Sequence, residues 1–131
     1  MDPEAVLQDC VVEVAAESYA VVSVEQPHSA AFATIDDGRE RTQVIAERHL
    51  ETAAVEACSR GWARLTFDVV LPFELVGFLA RVAGALAEAD VSVFALSAYS
   101  TDHVLVRREH LETASETLSS LGCVVRHEDG G

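Results

Sequence analysis

Between Trp62 and His127 the spacing of apolar residues changes from every second position to every third or fourth and back again, twice. Leu65, Phe67 and Val69 alternate with Thr66 and Asp68, the pattern of a half-buried strand. Pro72 marks a turn. Leu75, Phe78, Leu79, Val82, Ala83 and Leu86 then form a continuous helical stripe, which Ala89-Asp90 breaks. Val91–Tyr99 is apolar on both faces and predicts a central strand. Ser100-Thr101-Asp102 is a polar turn, and His103–Arg107 returns as a strand with Val104 and Val106 on one face. A second helix is predicted from about Glu109, with Leu111, Ala114, Leu118 and Leu121 as its stripe. Gly122 stands where a helix end wants a left-handed residue, and Cys123-Val124-Val125 supplies the last strand. The order β-α-β-β-α-β is the ferredoxin-like split unit of an α+β protein, with an antiparallel sheet and both helices on one face.

The same chain contains an echo. His49-Leu50-Glu51-Thr52-Ala53 recurs as His110-Leu111-Glu112-Thr113-Ala114, a shift of 61 residues. That shift also places Gly61 on Gly122, Val44-Ile45 on Leu105-Val106, and Ala31–Thr34 on Ser92–Ala95 without a gap. Repeats of this size reuse one supersecondary unit. In the first copy, Ala31–Ile35 and Gln43–Ala46 read as a hairpin around Asp36-Asp37-Gly38. Leu50, Ala54, Ala57 and Cys58 predict a weaker helix ending at Gly61. Its first strand is predicted over Tyr19–Glu25, preceded by a separate strand at Cys10–Val14 with Glu17-Ser18 in the turn. Glu25–Ser29 is too short for a helix, so the copy is truncated. The expected organisation is residues 1–61 as the truncated half, 62–127 as the complete unit and 128–131 as a frayed tail.

Charge narrows the partners. The chain carries nine Arg, no Lys and 22 acidic residues, for a net charge of -13. Phosphate backbones need clustered basic residues, so no nucleic acid partner is expected. The acidic residues are spread along the chain, a halophilic composition that suits a strongly hydrated surface. No apolar run approaches the roughly 20 residues of a bilayer span, and the acidic start Met1-Asp2-Pro3-Glu4 is unlike a signal peptide. The expectation is a cytoplasmic protein without a membrane partner. Cys10, Cys58 and Cys123 form no paired motif and each lies in an apolar context, so they read as buried free thiols.

The stretch Pro72–Ala80, followed by Leu86–Ser97 and Tyr99-Ser100-Thr101-Asp102-His103-Val104-Leu105-Val106, resembles an ACT domain. The strand that ends in Tyr-x-Thr-Asp before an apolar hairpin strand is similar to the CASTOR-like branch of small tandem-ACT proteins. The resemblance covers Trp62–Cys123 well and Tyr19–Arg60 loosely. It implies an ACT unit preceded by a truncated ACT-like copy. It also implies regulatory binding of an amino acid or similar small ligand at a domain or subunit interface, and no catalysis.

Within this frame the loop Leu71–Leu75 leads into a helix N-terminus, where free N–H groups and the positive dipole end receive a carboxylate. The candidate ligand-binding residues are Phe73, Glu74, Leu75, Val76, Gly77, Thr101 and Asp102. A glycine at 77, inside a helix, costs roughly 1 kcal/mol against alanine. Either a close ligand or helix packing would explain it, and the resemblance places a glycine here beside the ligand. Asp102 could hold a ligand ammonium or simply stabilise its own turn. Glu74 has the same two readings, a cation contact or a first-turn helix acid.

Other chemistries find no motif. His28, His49, His103, His110 and His127 show no metal-ligand spacing, so no metal is expected. There is no nucleophile elbow and no glycine-rich phosphate loop, so no catalytic residue and no cofactor are expected. The sequence thus predicts a non-catalytic small-ligand sensor, most naturally for an amino acid, and a homodimer because sheet edges of this kind need cover. Two rivals stand beside it: a dimerisation or scaffold module without ligand, and a regulatory subunit of an amino-acid biosynthetic enzyme.

Overall fold

The structure is a computed structural model and describes residues 2–129. Helix α1 (Pro3–Leu7) leads into strand β1 (Val11–Val24), which is followed by β2 (Ala33–Asp36) and β3 (Arg41–Ala46). A 3-10 turn at Glu47–Thr52 precedes β4 (Val55–Asp68). Helix α2 (Phe78–Glu88), strands β5 (Val93–Ser97) and β6 (Asp102–Arg107), a short 3-10 turn, α3 (Leu111–Ser120) and β7 (Val124–His127) complete the chain.

The chain forms two compact units. One joins the stretch up to Ala16 to the stretch from Ala63 onward, and the other is Glu17–Trp62. The expected division placed residues 1–61 together. The first sixteen residues instead go with the larger unit, because Leu7, Cys10, Val12 and Val14 are buried in its core.

In the larger unit the strands lie in the order β7-β1-β4-β6-β5. The elements from β4 to β7 follow the predicted β-α-β-β-α-β succession. The first half of β1 is an additional strand, placed between β4 and β7. Its pairing with β7 is parallel, Val11 opposite Val124 and Val14 opposite His127, whereas β5 and β6 pair antiparallel as expected. A parallel neighbour needs a long crossover, and here nearly the whole chain lies between the two strands. Helices α2 and α3 pack on each other. They enclose a core of Leu65, Phe67, Phe78, Val82, Leu86, Val104, Val106 and Leu118. Phe67 and Phe78 meet edge to face at 5.1 Å. Asp90, at φ 60, and Gly122, at φ 105, end the two helices.

The expected central strand Val91–Tyr99 is shorter, β5, and lies at the sheet edge. Its apolar residues are only partly buried. Apolar character on two faces therefore did not mean two covered neighbours. The tail is paired one residue past β7, since the Glu128 N–H donates to the Val14 carbonyl at 2.9 Å. Gly130 and Gly131, also assigned to the frayed tail, lie outside the described residues.

In the smaller unit the strand order is β2-β3-β1-β4, with the second half of β1 and the first half of β4. Ala20, Val22, Val24 and Ile45 make its core, with Leu50, Ala53 and Val55 against it. Gln43 is buried and clasps the loop before β2: it accepts from the His28 N–H at 2.9 Å and donates to the His28 carbonyl and to Thr34 Oγ1. The predicted hairpin is present. Its register is that of the β5–β6 hairpin 61 residues on: Ala33 faces Val44 as Phe94 faces Leu105, and Asp36 faces Arg41 as Ser97 faces Asp102.

Two predictions fail here. Cys10–Val14 and Tyr19–Glu25 are one continuous strand, β1, not two strands with a turn at Glu17-Ser18. The helix over Leu50–Cys58 does not form. The chain makes only the 3-10 turn, and from Val55 it runs straight as β4. Its stripe rested on alanines, which bury little, and pairing beside β1 outweighs that weak helical preference. Gly61 takes φ 82 within β4, and its N–H donates to Glu47 Oε2 at 2.7 Å rather than closing a helix. The same change leaves Cys58 exposed, while Cys10 and Cys123 are buried as expected.

Candidate functional site

The larger unit carries a cleft of about 340 Å³ where the segment after β4 meets the β5–β6 hairpin. Both walls follow from local hydrogen bonding. The Leu71 N–H donates to the Ser100 carbonyl at 2.6 Å, which ties the two segments together. The Leu75 N–H donates to the Pro72 carbonyl at 3.0 Å and closes a turn over Pro72–Leu75. That turn, with Gly77 beyond it, delays the helix.

Helix α2 therefore begins at Phe78, and Gly77 is its N-cap, with φ 89 and ψ 3. Gly77 lies outside the helix interior, so the cost of a mid-helix glycine does not apply. Its left-handed backbone is the reason for the residue. The first bond along the helix axis is the Arg81 N–H to the Gly77 carbonyl at 2.9 Å. The amides of Phe78, Leu79 and Ala80 precede it and have no partner within the helix. No side chain caps this end and its first turn holds no acid. Gly77, Phe78, Leu79 and Ala80 all line the cleft.

The opposite wall is the hairpin. Asp102 lines the cleft and accepts a hydrogen bond from Ser97 Oγ at 2.6 Å. Thr101 also lines it, but its hydroxyl is committed to the Phe67 carbonyl at 2.8 Å. Thr101 thus fixes the hairpin to β4. Leu71, Phe73, Leu75 and Tyr99 give the cleft its apolar surface. Phe73 and Tyr99 stack edge to face at 5.1 Å although both are largely exposed.

Of the seven residues singled out in the sequence, Phe73, Leu75, Gly77, Thr101 and Asp102 share this cleft. Glu74 and Val76 are outside its lining. Glu74 sits in an adjoining hollow of about 240 Å³ beside Val70 and Tyr99, and Val76 is 81% exposed. Glu74 is not a first-turn helix acid, because the helix starts four residues later. Sequence reasoning overlooked Ser97 and Tyr99. The hairpin register would have flagged Ser97, which stands directly opposite Asp102.

Among the described residues, no group of three or more His, Cys, Asp or Glu is placed to hold a metal ion. No helix among them is long and apolar enough to cross a membrane.

A cleft between a helix N-terminus and a β-hairpin, on a β-α-β-β-α-β frame, defines a small ferredoxin-like α+β module. Residues 57–120 match the model of the ACT domain family. No curated protein matches the chain. Among solved structures, a protein of Agrobacterium tumefaciens superposes with a TM-score of 0.79 at 19% identity, covering 92% of this chain and 95% of that one. A Vibrio cholerae protein of unknown function gives 0.75 at 27% identity, covering 88% and 91%. The ligand-free regulatory subunit of aspartate kinase from Thermus thermophilus gives 0.58 at 12% identity, covering 84% and 95%. The first and third of these likenesses concern the fold.

Proposed function

We propose that the cleft binds a free amino acid and that the protein is a non-catalytic regulator. ACT domains are regulatory, amino-acid-binding modules as a class. The observation that carries the reading is that the open N-terminus of α2 and the Asp102 carboxylate line one cleft. A zwitterion has charges of both signs on one carbon. Its carboxylate would meet the amides of Phe78–Ala80, where the helix dipole favours it without a basic side chain. Its ammonium would meet Asp102, held in place by Ser97. Leu71, Phe73 and Leu79 would take a small apolar side chain. The proposed contact set is therefore Phe73, Leu75, Gly77, the amides of Phe78–Ala80 and Asp102, with Thr101 bracing the hairpin through Phe67 and Glu74 and Val76 beyond the rim.

Thermal shift against the standard amino acids tests this. At a hundredfold excess over Kd a ligand stabilises by about 2.7 kcal/mol, which raises the melting midpoint by several degrees. Apolar amino acids should produce the shift, and their N-acetyl and amide derivatives should not. The reading fails if no amino acid shifts the midpoint at concentrations well above millimolar.

A second reading, a dimerisation module, is favoured by the exposed Val70, Phe73, Val76 and Tyr99 around the cleft. In the fuller proposal the two combine: a cytoplasmic homodimer, with the CASTOR-like tandem arrangement, in which ligand closes an interface. The shared hairpin register supports reading the smaller unit as a truncated ACT-like copy. Light scattering with and without ligand separates dimer from monomer. Unfolding at rising salt tests the halophilic reading, which requires a midpoint that climbs with ionic strength.

A further inference from the structure

We propose that Cys10 and Cys123 form a reversible disulfide that fastens the N-terminal segment to the turn between α3 and β7. The parallel ladder of β1 and β7 begins at Val11 opposite Val124, and the Val124 N–H donates to the Cys10 carbonyl at 2.8 Å. One step earlier in the same register, Cys10 stands beside Cys123. Neighbouring strands are about 4.8 Å apart, within the 4.4–6.8 Å range of Cα separations that a disulfide spans. Side chains alternate along a strand. Cys10 shares the parity of Val12, and Cys123 that of Val125, and all four belong to the core beneath the helices. Both thiols thus point to the same side.

The two sulfurs already interact. The Cys123 side chain is the main cause that holds the Cys10 thiol below the ordinary thiol pKa, and the Cys10 Sγ also donates to the Val11 carbonyl at 3.8 Å. The Cys10 side chain, followed by burial, makes the Cys123 thiol less acidic. With a small-molecule disulfide as oxidant, the Cys10 thiolate attacks one sulfur and expels the first thiolate. Cys123, losing its proton to that leaving thiolate, then attacks the Cys10 sulfur of the mixed disulfide and expels the second. Two protein thiols are oxidised and one external disulfide is reduced to two thiols.

The surroundings are built for such a link. The Asp9 N–H donates to the Gly122 carbonyl at 2.9 Å, and the Gln8 side chain lies against Gly122. The segment tethered this way carries α1, which packs on α2 and is joined to it by the Arg81–Glu4 ion pair. Oxidation therefore fixes the support of the helix whose N-terminus forms the cleft.

The test uses the full chain with the exposed Cys58 replaced, Cys58→Ser, equilibrated with oxidised glutathione without denaturant. The expected product is a single chain, not disulfide-linked to another, lighter by two hydrogens, about 2 Da. Peptide mapping should show Cys10 joined to Cys123, and dithiothreitol should reverse the link. The melting midpoint should rise by about 5–15 °C on oxidation. Wild-type protein, whose Cys58 reacts in parallel, verifies that the oxidant is active. The proposal is overturned if both thiols stay reduced while Cys58 is consumed, if Cys10 stops at a glutathione adduct, or if the link forms only after unfolding. Peptide mapping decides even if Cys10→Ala and Cys123→Ala variants fail to fold.

Discussion

Ser97 donates its hydroxyl to Asp102 Oδ1 at 2.6 Å from the directly opposing position of the β5–β6 hairpin. A turn aspartate usually bonds its own backbone. This one is held by a cross-strand hydroxyl and stands in the lining of a cleft. If Asp102 holds the ligand ammonium, Asp102→Asn removes the charge and leaves an oxygen for Ser97. Hydrogen bonds to charged groups contribute about 1.5–3 kcal/mol. Amino-acid affinity should therefore fall roughly tenfold to a hundredfold by titration calorimetry, with the melting midpoint nearly unchanged. An unaltered affinity would remove Asp102 from the site.

Gly122 is a steric contact as well as a helix end. A Cβ there would lie 2.7 Å from Gln8 Nε2, and the backbone has φ 105. Gly122→Ala should cost about 1–2 kcal/mol by urea denaturation, chiefly from backbone strain, because the Gln8 amide it meets is the far end of a flexible side chain. Adding Gln8→Ala should recover only the smaller, overlap part of that loss. Strict additivity of the two substitutions would show that they do not touch.

Gln43 is 1% exposed and satisfies both backbone groups of His28. Gln43→Leu keeps the volume and strands the His28 N–H, while the His28 carbonyl keeps the Ala31 N–H at 3.3 Å. The expected loss is about 1–3 kcal/mol of unfolding free energy, the cost of one unpaired buried group. Gln43→Glu, which keeps the acceptor alone, should fall between the two. Equal stability of Gln43→Leu and wild type would mean that water replaces the clasp.

His103 gives stability a pH dependence. Burial is the main cause of its lowered pKa, the positive charge of Arg64 adds to it, and Asp102 opposes both. The unfolded chain therefore takes up the proton more readily than the folded one. His103's contribution is fully present above about 6.5 and is lost as pH falls from there through the depressed folded value. His103→Asn, which can still meet Thr66, should flatten the stability profile over that window. An unchanged slope would assign the acid sensitivity to carboxylates.

Much of the larger unit was legible because its signals are local and redundant. The stripe through Phe78, Val82 and Leu86 does form a buried helical face, and Gly122 does take positive φ. The start of α2 was misplaced because Leu75 fits the helical spacing while the Pro72–Leu75 turn holds it outside the helix. The site was legible in part for the same reason. Gly77 and Asp102 were singled out by residue type and place, whereas the role of Ser97 depended on hairpin register. Thr101 was selected for a ligand, yet its hydroxyl is spent on Phe67.

By itself the sequence determined the alternation of strand and helix from Leu65 to Val125, the hairpin echoed at 61 residues and the acidic, Lys-free character of the chain. These depend on periodicity and composition, which neighbours along the chain carry. Only the tertiary structure decided that Val55–Asp68 is one strand and that β1 lies between β4 and β7. It likewise decided that Cys10 stands beside Cys123 and that Asp102 shares a cleft with the N-terminus of α2. Each of these is a pairing between segments far apart in the chain. A strand's partner is chosen by what its two faces and edges can bury and hydrogen-bond, and no local pattern records that choice.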